Sequence, residues 1–381
     1  MHIKNRNLFR LNRIFLLKLP WLLRFFAALR EPSKRLLIIK TDAIGDYILF
    51  RNFVEIIKES ELYKDYQIDL LGNVLWRDIA VKYDAAFVDE FIFIKAHDLY
   101  ESPIKTLKLA WRLFVKNYEL VLQPTFARTL INDSLAAFTG TKQIIGFESD
   151  TDQIPPRYKV KTDKFYSKLL TLPIDVNFEF ERTKFFFEFV LNCPVALKSP
   201  FIKADKGKKS GIVIIPGAGS LKRAWEKEKF LELTKLIASN TGQPIVLLGG
   251  PDEFETGNYI TANLPPGSVT NLIGKTSLPE LIEIIGNAAL VIANDTSAIH
   301  IAAATQTKSV CILGGGHFER FAPYPEHLPH KPLCVFEKMD CYYCNWNCIF
   351  KTETWQTHPC VSNVSLEAVW LAVQQLLIEN S

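Results

Sequence analysis

Short runs of consecutive apolar residues alternate along the chain with longer stretches whose apolar positions recur every three or four residues. Residues 36–39 form the first run, and 46–60 then read as an amphipathic helix. Strand-like runs follow at 67–71, 91–94, 120–122 and 143–145, separated by helical patterns at 75–83, 103–116 and 127–138. Continuous apolar strands between amphipathic helices predict a parallel sheet covered on both faces. A helical pattern at 178–191 closes this half, and the Lys- and Pro-rich stretch 194–209 has little periodicity. The alternation then restarts. Strands are expected at 212–215, 245–248, 269–272, 290–293 and 309–313, and helices at 227–239, 253–263, 279–285 and 297–305, before a last helix near 365–378. The pattern predicts two doubly wound α/β domains, 33–193 and 210–364, with a linker at 194–209 and a terminal segment at 365–381.

Residues 1–31 stand apart. They hold seven of the 45 Lys and Arg but one of the 41 Asp and Glu, so the remaining chain sits near neutrality, at −2. That distribution does not fit a nucleic-acid binder, which spreads its excess over a face. The bases interleave with Trp21 and many Leu and Phe, and Arg13, Lys18 and Arg24 interrupt every apolar run before the ~20 residues a bilayer crossing needs. No small-residue cleavage site follows before Pro32, which argues against a secretory signal. The segment reads as a basic amphipathic helix in a membrane interface, broken in two at Pro20, or else as a helix docked on protein. At 48% hydrophobic and 23% charged, the 381 residues support ordinary cores and exclude a disordered or multi-span membrane chain. Cys193 and Cys311 read as buried thiols of a reducing compartment.

Ligands of doubly wound sheets sit beyond the carboxyl ends of the strands, so the strand–helix turns hold the candidate chemistry. The first turn, Lys40-Thr41-Asp42-Ala43-Ile44-Gly45-Asp46, offers close backbone approach at Gly45 and a carboxylate at Asp46, either a general base or a helix cap. Pro216-Gly217-Ala218-Gly219-Ser220 leads to Lys222, Arg223 and Trp225. Without a third glycine it is no full dinucleotide fingerprint, yet it suits an anion, or is a mobile loop with two solvated bases. Asp295-Thr296-Ser297 opens a helix, where free amides and the dipole suit phosphate; Asp295 either orients the turn or caps it. His300, one turn on, faces the same site or is structural. Glu253, after Gly249-Gly250-Pro251, is a ribose ligand or a helix-start acid. Gly274-Lys275-Thr276 lacks the earlier glycine of a P-loop, and Asp150/Asp152 form an unsupported D-x-D metal motif.

Together, these turns resemble glycosyltransferase family 9, the lipopolysaccharide heptosyltransferases, over roughly residues 35–375. The resemblance implies a GT-B fold: two Rossmann-like doubly wound domains facing a central cleft, acceptor on the N-terminal one and nucleotide sugar on the C-terminal one. It implies metal-independent transfer with inversion, most plainly of heptose from ADP-heptose onto a lipopolysaccharide core or related lipid-linked glycan. Asp46 matches the catalytic base, with Lys40 and Gly45 on the acceptor side. Arg223 stands where the family usually has Lys, with Lys222 as a second cation. Gly217, Gly219, Ser220, Glu253, Asp295, Thr296, Ser297 and His300 fall on the donor side. Ser297 departs from the usual Gly, and Ala224 and Glu226 from the usual neighbours of Trp225; these bear on sugar and base more than on reaction type. The implied place is cytoplasmic, peripheral on the inner face of the bacterial cytoplasmic membrane. Alternatives are a sugar-nucleotide epimerase of similar architecture and an inactive nucleotide-sugar-binding protein.

Within the loop 334–360, Cys341, Cys344, Cys348 and Cys360 are close in sequence, with Cys334 and His358 nearby. They are candidates for a structural zinc site, disulfides or free thiols. Trp346 and Trp355 are expected to pack this loop. No cofactor is expected for catalysis.

Overall fold

The computed structural model describes residues 4–31, 33–205, 207 and 209–378. The outermost residues of the expected 1–31 and 365–381 segments, and positions 206 and 208 of the expected linker, lie outside the described residues. The chain divides into two compact units: one runs to Val176 and includes Phe180–Ala196, and the other comprises Asn177–Glu179 and the chain from Leu197.

The first unit begins with helix α1 (Arg6–Ala27). Strands β1 (Ser33–Lys40), β2 (Gln67–Asn73), β3 (Glu90–Ile94), β4 (Tyr118–Gln123), β5 (Ile144–Phe147) and β6 (Lys168–Leu170) form one parallel sheet in the order β3-β2-β1-β4-β5-β6. Between them run α2 (Ile44–Phe50), α3 (Asn52–Glu59), α4 (Arg77–Tyr83), α5 (Pro103–Val115), α6 (Leu130–Phe138) and α7 (Pro156–Thr162), and α8 (Glu179–Leu191) follows. The central strand shows why: Leu36, Leu37, Ile38 and Ile39 are all fully buried, as an apolar run covered on both faces must be. Phe180 and Phe187 of α8 seal one face against Phe53, with ring centroids 5.5 and 5.2 Å apart.

The second unit repeats the plan. β7 (Ile212–Ile215), β8 (Ile245–Leu247), β9 (Thr270–Asn271), β10 (Leu290–Asn294), β11 (Ser309–Ile312) and β12 (Leu333–Val335) lie in the order β12-β11-β10-β7-β8-β9, again parallel. Its helices are α9 (Lys227–Thr241), α10 (Phe254–Ala262), α11 (Leu278–Asn287), α12 (Ser297–Ala304), α13 (Pro359–Ser362) and α14 (Leu366–Ile378). Read from each unit's first strand, both sheets follow the 3-2-1-4-5-6 order of a Rossmann fold. The strands β6 and β12, each three residues long, lie outside the predicted elements.

Helix α1 departs most from expectation. It is one continuous helix with Pro20 buried inside it, capped by Asn5, whose side chain accepts from the amides of Asn7 and Leu8. Phe9, Asn12, Leu16, Pro20 and Leu23 fall at helical spacing on one buried face, which packs on α5 and α6. Packing therefore offsets the backbone hydrogen bond that Pro20 forfeits. Three of the segment's bases are bound inward. Arg24 donates to the carbonyl of Phe165 at 2.7 Å, Arg30 to that of Phe114 at 3.0 Å, and Arg13 to the Tyr158 hydroxyl at 3.1 Å. The helix is part of the first unit's core. No helix among the described residues is long and apolar enough to cross a membrane.

Leu16 is 1% exposed. Leu16→Ala is expected to cost about 2–5 kcal/mol of stability, read from urea denaturation, by removing buried volume that cannot fully collapse. Truncation of residues 1–31 is expected to lower the thermal midpoint further.

Candidate functional site

In each sheet the chain leaves its first strand to one side and returns on the other, so a crevice opens at the carboxyl edge between β1 and β4, and again between β7 and β10. The predicted residues cluster at these two places.

In the first unit, Lys40 is fully buried at the end of β1 and pairs with Asp42, Nζ to Oδ2 at 2.9 Å. The same Asp42 oxygen accepts from the hydroxyl of Thr125, just past β4, at 2.7 Å, so one carboxylate spans the crevice. The Thr41 hydroxyl donates to Asn132 Oδ1 at 2.7 Å. Asn73 Nδ2 and Trp76 Nε1 donate to the carbonyls of Thr41 and Asp42, at 3.1 and 3.2 Å. Lys40 thus braces the turn from beneath instead of presenting its charge to an acceptor. Gly45 and Asp46 lie in the first turn of α2, both partly exposed. The cap position belongs to Ala43, so Asp46 sits inside the turn, where its charge complements the helix dipole.

In the second unit, Asn294 ends β10 fully buried and ties the crevice together. Its Nδ2 donates to the carbonyls of Pro216 and Gly217 at 2.8 and 3.1 Å, and its Oδ1 accepts from the amide of Trp225 at 3.0 Å. Glu253 lies directly against Gly217: a Cβ there would stand 2.2 Å from Glu253 Oε1, so a side chain at 217 would displace that carboxylate. Burial raises the Glu253 carboxyl, and the Gly250 amide acts the other way. Gly219 turns at φ +64° into open space, beside an exposed Ser220. Thr296 caps α12, accepting from the Ala298 amide at 3.3 Å, and both Thr296 and Ser297 remain partly exposed. The first-turn amides of such a helix have no intrahelical acceptors and suit phosphate.

The two predicted cations separate. Lys222 donates to the carbonyl of Thr352 at 3.0 Å and so anchors the cysteine-rich loop. Arg223 lies in the field of the buried Asp295, whose carboxyl is raised by burial and lowered again by that guanidinium. Its own pKa is lowered by burial, with Asp295 opposing. The Arg223 guanidinium stacks over Trp346 at 4.5 Å. His300 does not face an open turn: it is buried, with Nδ1 2.8 Å from the Tyr324 hydroxyl, and burial alone lowers its pKa to about 4.

Cys341, Cys344, Cys348 and Cys360 line one pocket of about 10 Å³ with Trp346, all as free thiols. Burial raises Cys344 and Cys360, while the amides of Trp346 and Gly315 respectively pull the other way. Among the described residues no group of three or more His, Cys, Asp or Glu side chains is arranged to hold a metal ion, so no formed ligand set for zinc is present. Cys334 sits apart, on β12 in register with Cys311. Cys193 is exposed where a buried thiol was expected, and Trp355, 70% exposed, does not pack the loop. Asp150 and Asp152 are exposed, with the Asp152 amide donating to Asp150 Oδ1 at 3.1 Å.

Trp346 packs the loop as expected, against Gly314 and Gly316, while the supporting role of Asn294 is one that the chain alone did not single out. A lone Asn closing an apolar strand was the available signal for it, since a buried amide there needs partners.

Two Rossmann-like units of this strand order are the architecture of the GT-B fold. The chain belongs to glycosyltransferase family 9 (heptosyltransferase), whose model matches residues 108–341. It is 30% identical over 119 residues to lipopolysaccharide heptosyltransferase 3 of Escherichia coli strain K12, covering 31% of this chain and 34% of that protein. The chain thus spans about a third of the length of the first curated relatives it matches. It is 24% identical to lipooligosaccharide heptosyltransferase 2 of Campylobacter jejuni over 88% of this chain and 95% of that one. The solved E. coli ADP-heptose lps heptosyltransferase II shares the fold, with TM-score 0.67 and 18% identity, over 91% of this chain and 99% of the other.

An imidazole held neutral in the fold loses stability where the unfolded chain takes up a proton. Stability is expected to fall as pH drops from about 6.5 toward about 4, and His300→Gln to flatten part of that slope, read from urea midpoints across pH.

Proposed function

We propose that the chain is an inverting glycosyltransferase that moves a heptose from ADP-heptose onto a lipopolysaccharide core or related lipid-linked saccharide. The observation that carries this reading is the construction of the second crevice. Asn294 fixes the glycine-rich turn on β10, Glu253 is fitted against Gly217, and Arg223 stands by a helix start whose amides suit phosphate. The donor diphosphate rests on the Thr296–Ser297 turn, with Glu253 at the ribose. As the glycosidic bond breaks, charge grows on the leaving diphosphate, and Arg223 together with the preoriented amides stabilises it. Asp46 takes the proton of the acceptor hydroxyl that attacks the anomeric carbon from the opposite face, and no covalent enzyme intermediate forms. The name of the E. coli protein sharing the fold, which includes ADP-heptose, supports the choice of donor. Family membership disfavours the epimerase and the inactive-protein readings. The enzyme works at a membrane surface, with the outward side of α1 in contact with it.

Asp46→Asn is expected to lower kcat about 10²–10⁴-fold while donor affinity, read by calorimetry with ADP-heptose, is retained. Activity with EDTA is expected to equal activity without it. Altered sugar nucleotide released without any acceptor would overturn the transferase reading, and strict dependence on added Mg²⁺ would overturn its metal-independent form.

A further inference from the structure

Helix α1 carries two apolar stripes, and the fold uses one. With the inner stripe buried, Leu11, Ile14, Leu22 and Phe25 form a second stripe that faces outward, 48–66% exposed, and Leu29 just beyond the helix is 76% exposed. An ordinary surface helix needs a single apolar stripe, and a contiguous exposed one marks a binding surface. α5 packs alongside α1 and exposes apolar residues of its own, Ile104, Trp111 and Val115, 68%, 64% and 46% exposed.

Beside α5 lies a groove of about 360 Å³. Apolar residues, Phe93, Ile94, Leu99 and Leu109, line part of it, and four bases, Lys95, Lys105, Lys108 and Arg112, with one acid, Asp98, line the rest. Lys105 is paired with Asp98 at 3.4 Å and Arg112 with Glu90 at 2.7 Å. Lys95 and Lys108 are exposed, and neither has an ion pair among the described residues. On α1, Arg6, Arg10 and Lys18 are likewise exposed and without an ion pair among the described residues.

We propose that the outer faces of α1 and α5 dock on an anionic phospholipid bilayer, with a lipid phosphate headgroup held in the Lys95–Lys108 groove. This rests on the reading of a membrane-surface enzyme and names the second helix and the lipid class. Charge complementarity selects the occupant. Exposed aliphatic and indole side chains enter the acyl boundary, while the bases around them meet phosphates at headgroup depth. A groove with apolar lining and cations matches a headgroup that joins a phosphate to hydrocarbon. A nucleic acid would leave the apolar stripe in water.

The test is sedimentation of the full chain with vesicles of phosphatidylcholine alone, or of phosphatidylcholine with phosphatidylglycerol. Binding is expected to the anionic vesicles and to weaken with added salt. The double variant Lys95→Ala/Lys108→Ala is expected to bind roughly 30-fold more weakly, at about a factor of five per base. Trp111→Ser is expected to weaken binding as well. Both variants alter exposed side chains, so an unchanged thermal midpoint is the expected control for folding. Binding to anionic vesicles that neither variant affects would overturn this inference and leave α1 alone as the contact. No binding to any vesicle would overturn the membrane-surface reading too. Full displacement from vesicles by inorganic phosphate at matched ionic strength would show a free-anion site and overturn the headgroup assignment. Association of the chain with itself that is lost in Trp111→Ser, without vesicle binding, would identify a second copy as the occupant and overturn it as well. Each measurement is made without donor or acceptor, so its outcome is separate from that of the transfer assay.

Discussion

A parallel sheet sends every chain out over the same edge, and where successive connections part to left and right that edge is left open. Both gaps are held to a fixed shape by polar side chains, which apolar packing alone cannot supply. In the second unit a single buried amide does this: Asn294 satisfies two carbonyls of one loop and one amide beyond it. In the first, Asp42 reaches from one side of the gap to Thr125 on the other with Lys40 beneath. Such groups are costly to bury unpaired, so the loops have one low-energy arrangement and few alternatives.

The remaining candidate residues arrange themselves round these braces. Trp346 gives Arg223 an aromatic face and is itself packed against Gly314 and Gly316. The cysteine-rich loop therefore acts as a backing for the one cation that stands near Asp295, while Lys222 fastens that loop through the Thr352 carbonyl. The two adjacent bases thus have different partners, a backbone carbonyl for Lys222 and an indole face with Asp295 for Arg223.

The architecture was legible because buried parallel strands write themselves as unbroken apolar runs, as at Ile212–Ile215 and Leu290–Asn294. The unpredicted strands β6 and β12 are three residues long at sheet edges, too short for an apolar run to distinguish a strand from a loop. The turns were legible because glycines and small hydroxyl residues directly after a strand have few other uses. What a residue does within its turn was not. Lys40 and His300 look alike as site candidates in one dimension, yet both are buried: Lys40 pairs with Asp42, itself held by the distant Thr125, and His300 meets the Tyr324 hydroxyl. The same holds for α1. Interleaved bases and apolar residues fit a lipid interface or a protein surface equally well, and only the position of α5 and α6 shows that one stripe of the helix is already taken.

His300 lies one helical turn behind the amides of Thr296 and Ser297, sealed against Tyr324 and held uncharged at neutral pH. An imidazolium in that place would keep a permanent counter-ion next to any bound anion, gripping substrate and product alike. With the imidazole neutral and buried, attraction at that helix start is left to the backbone amides and to Arg223, which acts on Asp295. Any binding at that helix start would therefore be insensitive to the imidazole near neutral pH.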